Sequence, residues 1–319
     1  MSTSWQPTSE RSMLQARADL LAAVRQFFAD RQVLEVETPI LSHAAGTDVA
    51  LDPVTATLDY AGSPRQFFLQ TSPEFAMKRL LAAGSGPIYQ LARSFRNGEV
   101  GKLHNPEFTM LEWYRPGFSM VDLMAEVEHL ARQILEVGPI KRMTYAEVFA
   151  DYLGLNPFFA SLGDLQQAAG GLVDAAFESN SRDTWLDLLF SHSIQPHFEE
   201  AVFISHYPAS QAALAEICCA EDGTKTALRF ELVINGVELA NGYQELTDPV
   251  EQTKRFGDEL AARQALGLTI NPIDQNLLAA LEYGLPQCAG VALGIDRLLM
   301  LKTGAESIAD VLAFSIDRA

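Results

Sequence analysis

The chain has 319 residues, 48% of them apolar and 20% charged, the make-up of a soluble globular protein with room for a sizeable core. No run approaches the roughly 18 apolar residues of a membrane span, and the N-terminal MSTSWQPTSERSM lacks the basic-then-apolar layout of an export signal. Lys and Arg number 23 against 41 Asp and Glu, and this net charge of −18 disfavours broad binding to a nucleic-acid backbone while suiting a cationic small molecule or a basic protein surface.

Residues 12–31 predict an amphipathic helix, with Leu14, Ala18, Leu21, Val24 and Phe28 at helical spacing. QVLEVETPIL follows as a strand ending at Pro39. RQFFLQTSPE reads as a strand whose Ser72-Pro73-Glu74 opens the helix EFAMKRLLAAG, stopped by Gly84. Strands near 87–95 and 106–114, joined by the polar loop 97–105, form an expected antiparallel hairpin. Residues 119–137 are expected to be helical, and 144–200 a mostly helical insertion with little evident chemistry. Strand patterns return in AVFISHY, AEICCA, TALRFELVING and VELANGYQEL. Helices near 249–265 and 273–283 follow, then the strand and helix of GVALGIDRLLML. Strands clustered in sequence and separated by helical insertions predict an α+β fold built on an antiparallel sheet. Cys218, Cys219 and Cys288 give an odd count without CxxC spacing, which reads as reduced thiols in the cytoplasm.

Chemistry concentrates in three places. In SFRNGEVGKLHNPEFTMLEWYRP, a strand ends at Arg96, whose planar fork suits phosphate. Lys102, His104 and Asn105 in the loop can donate to further phosphate oxygens, and Phe108 offers a face for a base. Alternation then places Phe108, Met110, Glu112 and Tyr114 on one side of the return strand. A solvated hairpin is the competing reading, which Glu112 between Leu111 and Trp113 weakens.

In FELVINGVELANGYQEL, a turn at Asn235-Gly236 would bring Glu231 and Glu238 together. Neighbouring carboxylates repel unless a cation lies between them, and hard oxygen ligands suit Mg²⁺. Strict alternation puts Glu245 on the opposite face from Glu238, so a bulge at Asn241-Gly242 is required to bring it back. Unrelated surface glutamates are the alternative. In the last segment, Gly294 would let the backbone approach a ligand. Arg297 at a helix start opposes the dipole and therefore needs an anionic or aromatic partner; an ion pair with Asp296 or Glu306 would also serve.

These segments together resemble the signature motifs of class II aminoacyl-tRNA synthetases, in the lysyl branch. The first helix with EVETPIL is similar to motif 1, FRNGEVGKLHNPEFTMLEW to motif 2 and GVALGIDRLLML to motif 3. VELANGYQELTD resembles the lysyl strand before the last motif. The likeness spans nearly the whole chain and is closest to the truncated lysyl-tRNA synthetase paralogues that attach β-lysine to elongation factor P. About a dozen residues precede the first helix, too few for the five strands of an anticodon-binding OB-fold. One catalytic domain spanning 1–319 is therefore expected, without an anticodon-binding domain and with no tRNA as acceptor.

The resemblance implies ATP-dependent formation of a β-lysyl adenylate, then transfer to a lysine ε-amine of elongation factor P by a homodimer. It makes Arg96 and Arg297 catalytic. Around ATP it places Arg96, Asn97, Gly98, His104, Asn105, Phe108, Glu238, Leu239, Gly294 and Arg297, with Phe108 and Arg297 on the two faces of adenine. Mg²⁺ falls to Glu231 and Glu238. Around the amino acid it places Ser72, Pro73, Glu74, Glu112, Tyr114, Asn241, Glu245 and Ala292, with Glu74 on the ammonium nearer the carboxylate. Two departures stand out. Motif 2 FRxE reads Phe95-Arg96-Asn97-Gly98 here, with the acid displaced to Glu99. Ala292 stands where lysyl synthetases have glycine, and one added methyl there is expected to disfavour α-lysine. A truncated synthetase charging tRNA, or a non-catalytic sensor of lysine or ATP, are the other readings.

Overall fold

The computed structural model describes residues 5–172, 179–220 and 222–319; residues 173–178 of the expected helical insertion lie outside these. The chain forms two compact units, one of residues 1–118 with 246–319 and one of residues 119–245.

The first unit opens with α1 (Arg11–Ala29). Its buried stripe is Leu20, Val24, Phe27 and Phe28, whereas Leu14 and Ala18, expected on the core face, are exposed. The strand expected to run to Pro39 contracts to β1 (Leu34–Glu35). Pro39 has no N–H for a ladder, and residues 36–39 run without regular structure. A small antiparallel sheet follows, of β2 (Leu41–Ser42), β3 (Thr55–Tyr60) and β4 (Ser63–Leu69), with β4 central. Then α2 (Glu74–Ala82) starts behind Pro73, with Glu74 favourably placed in its first turn. β5 (Ile88–Phe95) and β6 (Glu107–Pro116) form the expected hairpin, from Ile88 opposite Tyr114 to Phe95 opposite Glu107. Phe28 stacks on Tyr89 at 4.3 Å and meets Trp113 edge-on at 5.3 Å, so odd-numbered residues of β6 face α1. Its even-numbered residues, Glu112 among them, turn to the other side.

The second unit begins at α3 (Met120–Leu135), started by a capping box between Ser119 and Asp122. β7 (Lys141–Thr144) leads into α4 (Tyr145–Leu153), α5 (Leu162–Ala168) and α6 (Arg182–Leu189); Thr144–Glu147 and Ser161–Asp164 repeat the capping box. β8 (Val202–Pro208) pairs in parallel with β7 and antiparallel with β10 (Lys225–Ile234). β10 also pairs with β9 (Ile217–Cys219) and β11 (Val237–Gln244). Tyr145, Phe149, Trp185, Leu189 and Phe190 from the helical insertion pack with Val202 and Ile204 in one apolar cluster.

The chain returns to the first unit in α7 (Pro249–Ala265), capped by Asp248, and α8 (Gln275–Gly284), capped by Asp274. β12 (Cys288–Gly294) pairs antiparallel with β6, with Ala292 opposite Glu112. α9 (Ile295–Thr303) and the short α10 (Ile308–Val311) close the unit. Among the described residues no helix is long and apolar enough to cross a membrane, and none of the three cysteines is in a disulfide.

Candidate active site

In the first unit, Arg96 follows β5 directly. Its Nε is buried with no hydrogen-bond partner among the described residues, its guanidinium carbon lies 5.1 Å from the Phe108 ring centre, and Nη1 is 3.7 Å from a Glu99 oxygen. Gly98 has φ +77°, a conformation costly for any residue with a side chain. The displaced acid, Glu99, thus comes back to face Arg96 after a turn that glycine permits. Asn97 donates from Nδ2 to Asp52 at 2.8 Å.

Arg297, in the first turn of α9, donates from Nη2 to His104 Nε2 at 2.8 Å and from Nε to the Leu103 carbonyl at 3.4 Å. Accepting at Nε2 requires His104 in its neutral form there. Asp296 does not serve as the partner of Arg297. It is buried, 2.7 Å from Arg17 of α1, and accepts from the Thr109 N–H at 2.7 Å. Arg17 also donates to the Thr109 hydroxyl at 2.8 Å. One buried ion pair therefore fixes the residue after Phe108 against the residue before Arg297. Asn105 is buried, donating to the Glu107 carbonyl at 2.6 Å and accepting from Ile316 N–H at 3.0 Å. At Gly294, φ is −76° and an added Cβ would meet only the Arg297 stem at 3.7–3.8 Å, so neither strain nor crowding within the protein calls for glycine.

A second group lies on the even-numbered side of β6. Glu112 is 1% exposed and accepts from Tyr114 Oη at 2.6 Å and Ser72 Oγ at 2.7 Å. Ser72 Oγ in turn accepts from the Glu74 N–H at 3.0 Å. Pro73 thus sits in a tight link that joins Glu112 to the start of α2. Glu74 accepts from Lys78 at 2.7 Å, and Lys78 is 2% exposed. Sequence reasoning passed over Lys78, although its i,i+4 spacing from Glu74 is a visible signal. A cation this deeply buried requires such a partner.

In the second unit, Asn235 and Gly236 both have positive φ, the two-residue hairpin turn expected between β10 and β11. Glu231 stands opposite Asn241, and Arg229 opposite Tyr243. The bulge is not at Asn241-Gly242. Leu232 pairs with Ala240 and Val233 with Glu238, leaving Leu239 as the extra residue. That shift brings Glu238 to the face of Glu231 and Asn241, and alternation carries the same face on towards Glu245. Leu239 itself is buried, so its main chain is what a ligand could reach. Glu245 is buried and forms a bridge with Ala215.

Arg229, also passed over, donates to Glu231, to Asn241 Oδ1 at 3.2 Å and to the Gln211 carbonyl at 2.9 Å. Its position two residues before Glu231 puts both on one strand face. Burial pushes the Glu231 carboxyl up to about 7; Arg229 opposes the shift and the charge of Glu238 adds to it. Two carboxylates that repel across one face, with oxygen donors alone, fit a hard divalent cation. Among the described residues no group of three or more His, Cys, Asp or Glu forms an all-protein metal cage. Mg²⁺ ordinarily completes its shell with water and phosphate, so two carboxylates suffice.

A family model described as tRNA synthetases class II (D, K and N) matches residues 4–318. The chain is 49% identical over 323 residues to elongation factor P–(R)-beta-lysine ligase of Pectobacterium carotovorum subsp. carotovorum, covering 99% of each. It is 51% identical over 323 residues to the ligase of that name from Pseudoalteromonas translucida, covering 99% of this chain and 98% of the relative. For the one from Salmonella dublin the identity is 50% over 321 residues, with the same coverage.

Proposed function

The chain belongs to the class II tRNA synthetases of the D, K and N group, and from that premise we infer that it is an ATP-dependent ligase. It activates (R)-β-lysine as an adenylate and joins it to a lysine side chain of elongation factor P. The observation that carries this reading is Arg96, whose buried Nε has no partner among the described residues and lies beside the half-buried ring of Phe108. An unsatisfied buried guanidinium N–H is costly unless a ligand completes it, and a phosphate or carboxylate oxygen does so well.

Activation needs no enzyme nucleophile. A carboxylate oxygen of β-lysine attacks the α-phosphorus of ATP in line, the bond to the bridging oxygen breaks, and pyrophosphate leaves. Arg96 stabilises charge on the α-phosphoryl oxygens and holds the carboxylate, while positioning does the rest. Phe108 stacks on adenine. Arg297 covers the other face and reaches the γ-phosphate, with His104 moving from arginine to phosphate. Asn97, Gly98 and Asn105 frame the nucleotide through the turn after β5, and Gly294 leaves room along the Arg297 stem.

Glu231 and Glu238 are the residues to hold magnesium, which when bound neutralises charge on the phosphate chain; the main chain of Leu239 is a nucleotide contact. Glu74, steadied by Lys78 and the Ser72-Pro73 link, takes the ammonium nearer the carboxylate. Glu112 and Tyr114 take the far ammonium, and Asn241 and Glu245 are the substrate groups of the second unit. Ala292, opposite Glu112, narrows the space beside it. In the second step the ε-amine attacks the acyl carbon, AMP departs with the bonding electrons, an amide forms and one proton is released. We place the enzyme in the cytoplasm as a homodimer, with protein and not tRNA as acceptor.

The test is ATP–pyrophosphate exchange with α-lysine and both β-lysine enantiomers, followed by transfer of labelled amino acid to purified elongation factor P. Exchange led by (R)-β-lysine, with label on the protein, is expected. Background exchange would indicate a sensor, and label on RNA a truncated synthetase.

A further inference from the structure

Residues 43–54 link β2 to β3 without regular structure, yet buried side chains from the C-terminal part of the same unit hold their main chain. Arg263 of α7 is 1% exposed. It donates to the carbonyls of Asp48 at 2.7 Å, Leu51 at 3.1 Å and Thr269 at 2.7 Å, and lies 3.6 Å from an Asp52 oxygen. Asn271, also buried, donates to the Gly46 carbonyl at 2.9 Å. The Thr47 hydroxyl donates to Glu259 of α7. Stripping water from a guanidinium is expensive, so a cation sunk this far fixes whatever carbonyls complete its shell.

The far end of this segment touches the ATP machinery. The Asp52 carbonyl accepts from the Asn97 N–H at 2.8 Å, and its carboxylate accepts from Asn97 Nδ2 at 2.8 Å. Asn97 follows Arg96 directly and precedes the left-handed turn at Gly98. Among the described residues Arg96 itself has only the 3.7 Å approach of Glu99 as an ion-pair contact. Its main chain is held on both sides, by its own N–H on the Pro106 carbonyl at 2.9 Å and by the pin at Asn97, so the guanidinium's placement depends on Asn97 as well as on the hairpin.

We propose that Arg263 and Asp52 are positioning residues for Arg96: the buried guanidinium sets residues 48–52, and Asp52 passes that position to Asn97 through a paired main-chain and side-chain contact. The proposal rests on the reading of Arg96 as an ATP group. Neither residue touches substrate. Asp52 is half-exposed, so its side chain can be cut back without opening the core.

The experiment uses the full chain in ATP–pyrophosphate exchange with (R)-β-lysine. Asp52→Ala should lower kcat/KM for ATP about tenfold, the scale on which small misplacements of a reacting group act. The KM for β-lysine and the melting temperature should stay put. Asp52→Asn, which keeps an oxygen for Asn97, should recover most of the loss. Arg263→Lys should lower kcat/KM for ATP, and combining it with Asp52→Ala should add little, because both act through one chain of contacts. Wild-type kcat/KM for ATP in Asp52→Ala would overturn the proposal, as would equal losses for both substrates or no recovery with asparagine. If the unaltered chain showed no exchange, the functional reading would fail instead. The calorimetric ATP affinity of Asp52→Ala against wild type would then decide the positioning role separately, weaker binding supporting it and equal binding refuting it.

Discussion

Glu112 on β6 and Glu231 on β10 are both buried carboxylates, but their surroundings differ. Glu112 accepts hydroxyl protons from Ser72 and Tyr114. These hydroxyl donors fix the directions in which its two oxygens point. Glu231 lies against Arg229 and shares a face with Glu238, and burial raises its pKa to about 7. There the protein has partly cancelled one charge and set a second beside it, an arrangement that favours a divalent ion over an organic cation. Burial alone therefore does not define a carboxylate's role; its donors do.

The largest effect should come from neither acid but from Arg96. On the proposed reading Arg96→Met removes the group that answers charge on the α-phosphoryl oxygens, so exchange should fall about a thousandfold while circular dichroism stays native. A loss under tenfold would remove Arg96 from the chemistry.

Glu112→Gln separates the two carboxylates. Shape is kept and charge is lost, so KM for β-lysine should rise roughly a hundredfold, the scale of a buried charge contact. KM for ATP should hardly move; if it moved equally, Glu112 would have no special tie to the amino acid. Ala292→Gly sharpens the same side of the comparison. Removing the methyl opposite Glu112 should raise the use of α-lysine relative to β-lysine about tenfold. An unchanged ratio would remove the proposed selectivity role.

The smallest effect concerns the other carboxylate. Between pH 7 and 6 the ionised fraction of Glu231 should fall from about a half to about a tenth, and the magnesium needed for half-maximal exchange should rise roughly fivefold. Because its folded pKa lies above the unfolded value, the folded state holds more protons between about pH 4.5 and 7. Glu231's contribution to stability therefore falls as pH rises through that range. A flat magnesium requirement would argue against Glu231 as the metal group.

Parts of this arrangement were plain in the amino-acid order. The strand–loop–strand of residues 88–116 shows itself because apolar runs flank a compact polar loop. Three helices of the second unit, α3, α4 and α5, start at Ser or Thr followed three places on by an acid. Alternation alone sets Arg229 with Glu231 on one face of β10 and Asn241 with Tyr243 on one face of β11, and once the turn at Asn235-Gly236 was recognised Glu238 could be placed beside Glu231. The bulge at Leu239 could not, because pairing with the opposite strand decides which residue is squeezed out. The core stripe of α1 was ambiguous for a related reason: Leu14, Ala18 and Leu21 are as well spaced as Leu20, Val24 and Phe27, and contact with Tyr89 and Trp113 through Phe28 selects the latter. Arg263 is hidden most completely: in sequence it reads as a solvated helix charge, and only long-range folding shows it buried against the carbonyls of Asp48 and Leu51, whereas Lys78 at least shows its i,i+4 partner Glu74.

The most direct test of the central claim supplies the chain with ATP, labelled (R)-β-lysine, elongation factor P and tRNA in one reaction, then separates protein from RNA. The account predicts label on the protein, with one AMP and one pyrophosphate released per amide formed. Label on RNA, or ATP cleavage with label on neither, would contradict it.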